Sequence, residues 1–221
     1  MRQLTKLFDL HRPPLTLFYS PARFLHQSRS FNMSQFETTG TIASFGGKLL
    51  KLKHKSSSTN TDMELNLFMP PQASKSGAKI PVLFYLSGLT CTGNNCSEKG
   101  FFQHGAAKHG IAVVYPDTSP SRSLTESSGR LLTQKGGLKI EGEDESYDFG
   151  SGAGFYVDAT KEPWTKGYNM YSYIAKELPE ALFSSFKELD SSRVSITGHS
   201  MGGHGALTLV RLPSDTDRKR H

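Results

Sequence analysis

One serine lies in a sequence context typical of a catalytic nucleophile. Ser200 is the centre of a Gly-x-Ser-x-Gly pentapeptide at 198–202, with an apolar run at 194–196 before it and a helical pattern at 203–210 after it. A sharp strand-turn-helix of this kind exposes a serine Oγ for attack on an acyl group, and it needs glycines where a Cβ would clash. The pattern therefore predicts nucleophilic catalysis at Ser200, with an ordinary glycine-rich turn as the alternative.

Acyl transfer by a serine also needs a general base and fixed N–H donors for the developing oxyanion. Met201 offers its backbone N–H at the start of the predicted helix, where the helix dipole favours negative charge. The second donor is expected in the loop at 87–90, which follows the apolar run at 82–86. Leu89 is the best candidate there, and an ordinary strand-to-helix turn is the alternative.

Two histidines and an acidic run are weaker candidates for chemistry. His199 is too close in sequence to reach Ser200 as a general base, and His204 lies on the first turn of the predicted helix, so both are expected to be packing residues around the site. The run Glu141, Glu143, Asp144 and Glu145 is typical of a solvated loop. Metal binding is the disfavoured alternative, because no histidine stands in helical register with it.

The hydrophobic pattern predicts an α/β domain. Half-buried antiparallel strands are expected first, followed by strands that run continuously apolar and alternate with helices, which implies a mostly parallel sheet. Pro179 is expected to kink or break the last helix before the serine. The predicted early strands are 41–45, 48–53 and 63–69, the later buried strands are 82–86, 111–115 and 193–197, and the helices are 98–108 and 170–186.

Charge and cysteine content restrict the partners and the compartment. The net charge of +6 comes entirely from residues 1–33 and 211–221, since residues 34–210 carry 17 basic and 17 acidic side chains. We therefore expect no nucleic-acid partner, and without an apolar run of about 18 residues no membrane partner. Two cysteines five apart favour a reducing, cytoplasmic setting. Residues 1–32 have the composition of a mitochondrial import peptide or of a disordered extension before Met33.

Several longer motifs occur in one order and carry a resemblance. The motifs are LSGLTCT at 86–92, PDTSP at 116–120, EGEDESYDF at 141–149, GAGFYVDAT at 152–160, the stretch 171–179, and GHSMGGHGAL at 198–207. With these motifs, the chain from about Met33 to Leu209 resembles S-formylglutathione hydrolase, also called esterase D. The resemblance implies an α/β-hydrolase fold, hydrolysis of S-formylglutathione to formate and glutathione, side activity on small esters, and no cofactor or metal.

Motif by motif, the resemblance makes Ser200 the nucleophile and gives Leu89 and Met201 the oxyanion-hole amides. Cys91 would lie near the site, although the residues alone favour a small buried side chain there. The expected partner is the small-molecule substrate, with a homodimer allowed.

The chain departs from the family pattern in two places. Residues 121–136 are a loop insert, and 211–221 form an aberrant polar tail after a partial hydrolase domain at 33–210. Only 21 residues follow Ser200, so the strands that carry the triad aspartate and histidine are expected to be missing. Asp215 and His221 satisfy the order serine, acid, histidine but lack a scaffold to hold them.

Three functions remain open at this stage. The first is a serine thioesterase of the S-formylglutathione type, impaired by the absent acid and histidine. The second is a non-catalytic form that binds a partner through its uncovered sheet. The third is a carboxylesterase for another acyl substrate.

Overall fold

A six-stranded mixed sheet carries the described part of the chain, which in this computed structural model comprises residues 36–120, 137–143 and 145–211. The strand order is β1-β2-β3-β5-β4-β6. The strands are β1 (Glu37–Ser44), β2 (Gly47–Lys55), β3 (Asp62–Met69), β4 (Ile80–Leu86), β5 (Ala112–Pro116) and β6 (Leu189–Gly198).

The sheet has an antiparallel and a parallel half. The strands β1, β2, β3 and β5 pair antiparallel in succession, whereas β4 pairs parallel with both β5 and β6. The predicted α/β class is therefore confirmed. The sheet is nevertheless mixed, since three of the five pairings are antiparallel, and the predicted parallel arrangement holds only among β4, β5 and β6.

The helices are shorter and more interrupted than the sequence predicts. They are α1 (Gly93–Lys99), α2 (Phe102–His109), α3 (Met170–Ser172), a π-helical segment at Tyr173–Glu177, α4 (Leu178–Ser185) and α5 (Met201–Arg211). The single helix predicted over 98–108 is wrong, because Gly100 caps α1 with a hydrogen bond to the Cys96 carbonyl. Phe101 then turns the chain with a left-handed φ of 55°.

Pro179 does not break the helical stretch that contains it. It lies in the first turn of α4, directly after the π-helical segment, and the chain stays helical from Met170 to Ser185. The wider π turn explains this continuity, because it relaxes the backbone where proline supplies no N–H.

Apolar side chains pack on both faces of the sheet. The larger core joins Leu65, Leu67, Val82 and Phe84 to the helical stretch at 170–182. The smaller core on the other face joins residues of β3 and β5 to α2. The strand β5 is buried at all five positions, as the continuous apolar run predicts.

The strand β6 is exposed, which contradicts the buried strand predicted at 193–197. Five successive residues from Ser191 to Ser195 are exposed, and Val194 keeps 44% of its surface. The reason is its position at the edge of the sheet, where β4 is its only strand neighbour among the described residues.

The predicted extension at 1–32 and the predicted insert at 121–136 lie outside the described residues. So does the predicted tail at 211–221, apart from Arg211, which ends α5. Among the residues that the structure describes, none of the helices has the length and apolar content needed to cross a bilayer.

Candidate active site

Ser200 lies in a tight turn between β6 and α5. Its φ is +54°, in the left-handed region that non-glycine residues rarely occupy, and its side chain is exposed. Backbone strain of this kind persists only where the surroundings enforce it. Here Gly202 N–H donates to the His199 carbonyl, and His204 N–H donates to the Ser200 carbonyl, so the turn is hydrogen-bonded on both sides of the serine.

The two glycines of the pentapeptide are required by close backbone contacts. A Cβ on Gly202 would lie 2.1 Å from the Leu86 carbonyl oxygen, and one on Gly198 would lie 2.3 Å from the Gly202 carbonyl oxygen. The clash predicted from the sequence is therefore confirmed. It arises because α5 begins directly against the end of β4.

The loop after β4 lies against the serine. Leu86 and Gly198 are register partners in the parallel pair, so both strands end at the same level of the sheet. A Cβ built on Gly88 would lie 3.4 Å from the Ser200 Cβ. The amide N–H groups of Leu89 and Met201 donate to no residue in the described part of the chain. The structure thus brings the predicted loop to the serine with both candidate donors uncommitted.

Hydrogen bonds from a distant segment hold this loop in place. Thr90 has a left-handed φ of 62° and donates its N–H to the Gly152 carbonyl at 2.9 Å. Cys91 N–H closes a turn onto the Gly88 carbonyl at 3.2 Å, and Thr118 Oγ1 donates to the Cys91 carbonyl at 2.6 Å. The loop is therefore a fixed turn rather than a flexible connection.

Tyr156 ties the loop to α5. Its hydroxyl donates to the Ser87 carbonyl at 2.8 Å, and its ring packs so tightly on Gly205 that a Cβ there would lie 2.4 Å from the ring. Burial raises the pKa of this hydroxyl, so it stays protonated and remains a donor. Reasoning from the sequence missed this role, although Tyr156 lies within the motif GAGFYVDAT at 152–160 and is aromatic in a glycine-rich stretch.

The family described as putative esterase matches residues 56–213, which is more than half of the chain. The chain belongs to this esterase family.

Its relatives share a more specific name. It is 48% identical over 170 residues to the S-formylglutathione hydrolase of Arabidopsis thaliana, covering 77% of this chain and 54% of that protein. It is 46% identical to the S-formylglutathione hydrolase of Paracoccus denitrificans, covering 79% of this chain and 56% of that protein. The predicted resemblance is thereby confirmed, and the chain spans about half the length of these relatives.

A solved structure supports the same fold. The S-formylglutathione hydrolase from Agrobacterium tumefaciens is 39% identical, with a TM-score of 0.65, and the match covers 79% of this chain and 56% of that one. The α/β-hydrolase fold predicted from the motifs is therefore confirmed for this member of the esterase family.

No described histidine or carboxylate hydrogen-bonds to the Ser200 hydroxyl in this esterase-family chain. His199 is exposed, and its Nδ1 would lie 3.2 Å from a Cβ on Gly88, so its ring sits beside the loop. His204 is exposed on α5. Asp215 and His221 lie outside the described residues. The structure therefore places Ser200 beside two uncommitted amide donors, but no described group is placed to act as a base.

Both cysteines are free thiols. Cys91 is half-buried and lies in the loop whose Gly88 is close to Ser200. Cys96 lies on α1, where its Sγ accepts a hydrogen bond from Ser87 Oγ at 3.0 Å. Burial raises the pKa of the Cys96 thiol, so it remains protonated and helps to position the start of the loop.

The acidic run is only partly a solvated loop, and the expectation is wrong for Glu143. This side chain is buried and accepts hydrogen bonds from the Tyr168 hydroxyl at 2.7 Å and from the N–H groups of Leu138 and Ile140. Its carboxylate is thus an internal structural acceptor. Among the described residues, no group of three histidine, cysteine, aspartate or glutamate side chains is arranged to hold a metal ion.

Proposed function

We propose that this chain is a serine thioesterase that hydrolyses S-formylglutathione to formate and glutathione, with side activity on small carboxylic esters. The observation that carries the proposal is the left-handed turn of Ser200, placed against a fixed loop whose Leu89 amide, like that of Met201, is uncommitted. The names of the matched relatives supply the substrate.

The proposed reaction proceeds through a covalent intermediate. Ser200 Oγ attacks the thioester carbonyl and forms a C–O bond, while the oxygen becomes an oxyanion that the Leu89 and Met201 amides stabilise. The C–S bond then breaks, and glutathione leaves as the thiolate. Water attacks the formyl-enzyme, releases formate and restores the serine hydroxyl. The proton lost from Oγ must pass to a base, which the described residues do not supply.

The expected rate follows from these groups. Each fixed donor contributes about two to three orders of magnitude in rate. Without a base, a serine hydrolase retains roughly three to four orders of magnitude over the uncatalysed reaction. We therefore expect the 221-residue chain to turn over S-formylglutathione slowly, well below the rate of a serine with a complete triad.

Formate release by the purified 221-residue chain tests the proposal. We expect slow turnover of S-formylglutathione that Ser200→Ala abolishes and Ser195→Ala preserves, since Ser195 is an exposed serine on the same strand. Turnover that is equal in the chain and in Ser200→Ala contradicts the assignment. A higher kcat/KM for a simple aryl ester than for S-formylglutathione would instead favour the general carboxylesterase.

The exposed edge of β6 supports a second candidate function, in which the chain acts only by binding. A strand with an open edge presents unpaired N–H and C=O groups that pair readily with another strand. The partner we propose is a second copy of this chain, which would form a homodimer. A stable dimer in light scattering, without formate release, supports this candidate, and a monomer at the same concentration contradicts it.

For the compartment we propose the cytoplasm, because both cysteines are free thiols, as expected in a reducing environment. Import into mitochondria through residues 1–32 is the alternative. A fluorescent fusion with and without these 32 residues separates the two. The alternative requires that only the longer fusion co-localise with mitochondria.

A further inference from the structure

A cavity of about 480 Å³ is lined by residues between 148 and 168, none of which is assigned to catalysis. Its walls are mostly aromatic and aliphatic: Phe149, Phe155, Val157, Trp164 and Tyr168, with Lys161 among its few polar residues. The volume falls within the usual range for small-molecule sites, which are typically concave and apolar.

Backbone hydrogen bonds fix the walls of this cavity. Ala159 N–H donates to the Tyr168 carbonyl at 2.8 Å, Met170 N–H to the Val157 carbonyl at 3.1 Å, and Gly154 N–H to the Thr118 carbonyl at 3.2 Å. The aromatic walls also pack on one another, with edge-on contacts of Trp164 to Phe149 and to Tyr168 at ring-centroid distances of 4.7 and 5.1 Å. The cavity is thus preformed, so a ligand would not have to order it.

Most polar groups of the walls are already engaged elsewhere. The Tyr168 hydroxyl donates to Glu143, and the Asp148 carboxylate accepts from Ser146 Oγ at 2.6 Å. Lys161 is exposed and forms no ion pair with any described residue. Deep in the cavity a ligand therefore meets apolar surface rather than unpaired donors and acceptors. Away from the exposed Lys161, a charged group would lose its hydration there without compensation, whereas an aromatic ring would not.

The segment that lines the cavity also holds the loop beside Ser200, because Gly152, next to the cavity-lining Ala153, accepts a hydrogen bond from Thr90 N–H at 2.9 Å. Phe155 and Tyr156 have successive left-handed φ angles of 46° and 56°. The Tyr156 side chain turns inward to the Ser87 carbonyl, while Phe155 lines the cavity. Adjacent residues therefore hold the oxyanion loop and form the cavity wall. Strain in consecutive non-glycine residues is typical of functional segments.

We propose that this cavity is a subsite for the aryl group of an ester substrate whose acyl carbon is attacked by Ser200. The proposal rests on the proposed serine esterase function and deepens it, since it assigns a binding site to the aryl group of apolar esters. The charged tripeptide of S-formylglutathione is not the occupant of the cavity and must extend in another direction.

The chain offers a direct probe, because Trp164 is its only tryptophan. The experiment titrates the full-length Ser200→Ala chain with phenyl acetate and follows Trp164 fluorescence, so that binding is observed without turnover. Glutathione is titrated in parallel. We expect a saturable change with phenyl acetate and none with glutathione.

Val157→Asp in the same background tests the location. Val157 is exposed at the cavity wall, so the substitution should leave the fold intact while placing a charge beside the ligand. We expect it to weaken phenyl acetate binding roughly tenfold or more, because a buried ring would desolvate the new carboxylate. Val210→Asp is the matched control, since Val210 is an exposed valine outside the cavity, and should bind as the parent does.

Three results would overturn the proposal: no fluorescence change with phenyl acetate, equal affinity in the Val157→Asp and Val210→Asp chains, or a saturable change with glutathione. None of them depends on catalysis. Failure of formate release in the earlier assay would therefore contradict the proposed function without contradicting the binding site. Formate release without phenyl acetate binding would contradict the binding site alone.

Discussion

The two sides of Ser200 differ in how completely the described residues build them. On the side of β4, a fixed turn at 87–91 accepts hydrogen bonds from Tyr156 and Thr118 and donates one from Thr90 N–H to the Gly152 carbonyl. On the other side, β6 presents an exposed edge, and no described carboxylate or imidazole hydrogen-bonds to the serine hydroxyl.

This difference separates two parts of serine catalysis that usually occur together. In the proposed function, stabilisation of the oxyanion depends on the Leu89 and Met201 amides near the ends of β4 and β6, both of which lie among the described residues. Proton transfer depends on side chains that must reach the serine from elsewhere. We therefore expect substitutions on the β4 side to affect both folding and serine reactivity, and substitutions far from it to affect folding alone.

The largest effect is expected for Gly202→Ala. Its Cβ would overlap the Leu86 carbonyl oxygen at 2.1 Å, where backbone must move to relieve the clash. We expect a loss of about 3 kcal/mol or more in the free energy of unfolding, together with loss of acylation. Urea denaturation followed by circular dichroism measures it.

Gly203→Ala is the matched control one residue later. Its nearest contact would be 3.3 Å, and alanine favours helix, so its stability should stay within about 1 kcal/mol of the parent. Equal destabilisation of the two variants would show that the turn does not constrain the serine as described.

Glu177→Gln should destabilise the chain without changing the serine. Glu177 accepts hydrogen bonds from Ser57 N–H, Ser58 N–H and Ser56 Oγ in the turn between β2 and β3. Burial alone would raise the pKa of this carboxyl, but these hydrogen bonds lower it overall. The substitution weakens charge-assisted bonds, so we expect a loss of about 1 to 3 kcal/mol, again from urea denaturation.

The pH dependence of that loss has a definite sign. Because the folded pKa of Glu177 is below the ordinary value of 4.5, its stabilisation is complete above pH 4.5 and disappears as the pH falls through the lower folded value. The difference between parent and Glu177→Gln should therefore shrink in acid. A difference that grows in acid, or a changed rate of serine acylation at neutral pH, would contradict this account.

Unlike Glu177→Gln, Tyr156→Phe should change the acylation rate of Ser200 clearly and the free energy of unfolding only modestly. Loss of the hydrogen bond to the Ser87 carbonyl should cost about 1 to 2 kcal/mol. Because that bond positions the oxyanion loop, acylation should slow by more than the stability change explains. Tyr147→Phe, at an exposed tyrosine, is the control and should match the parent in both measurements.

The smallest effect is expected for Glu98→Ala. Glu98 pairs with Lys51 at 3.6 Å on the surface, and its side chain is mostly exposed. Such pairs contribute little, so the change should stay within about 0.5 kcal/mol in the same denaturation assay. A larger loss would mean that the ion pair between α1 and β2 contributes more to the stability of the chain than a surface pair should.

Local patterns predicted the serine turn and most of the sheet because those features depend on short stretches. The Gly-x-Ser-x-Gly spacing predicts the turn at Ser200. The continuous apolar run of β5 predicts a buried strand. The exposure of β6 was not predictable in this way, since Val194 and Ile196 are apolar and only the position of β6 at the sheet edge exposes the strand.

The long-range hydrogen bonds that hold the loops around the site could not be predicted from sequence patterns. Tyr156 meets the Ser87 carbonyl across 69 positions in the chain, and Glu143 meets the Tyr168 hydroxyl across 25. Nothing in the spacing of either pair indicates contact. The helix predicted over 98–108 is interrupted for a local reason, because Gly100 caps α1, and a glycine at that place is a common signal for the end of a helix.

The central claim is that Ser200 is a nucleophile held against a prebuilt oxyanion loop. The most direct measurement is mass spectrometry of the intact 221-residue chain after reaction with 4-nitrophenyl acetate, followed by peptide mapping. We predict one acetyl group on the peptide that contains Ser200, absent from Ser200→Ala, retained in Ser195→Ala and reduced in Tyr156→Phe. Acetylation of Cys91 in place of Ser200, or equal labelling of the Ser200→Ala chain, would contradict the claim.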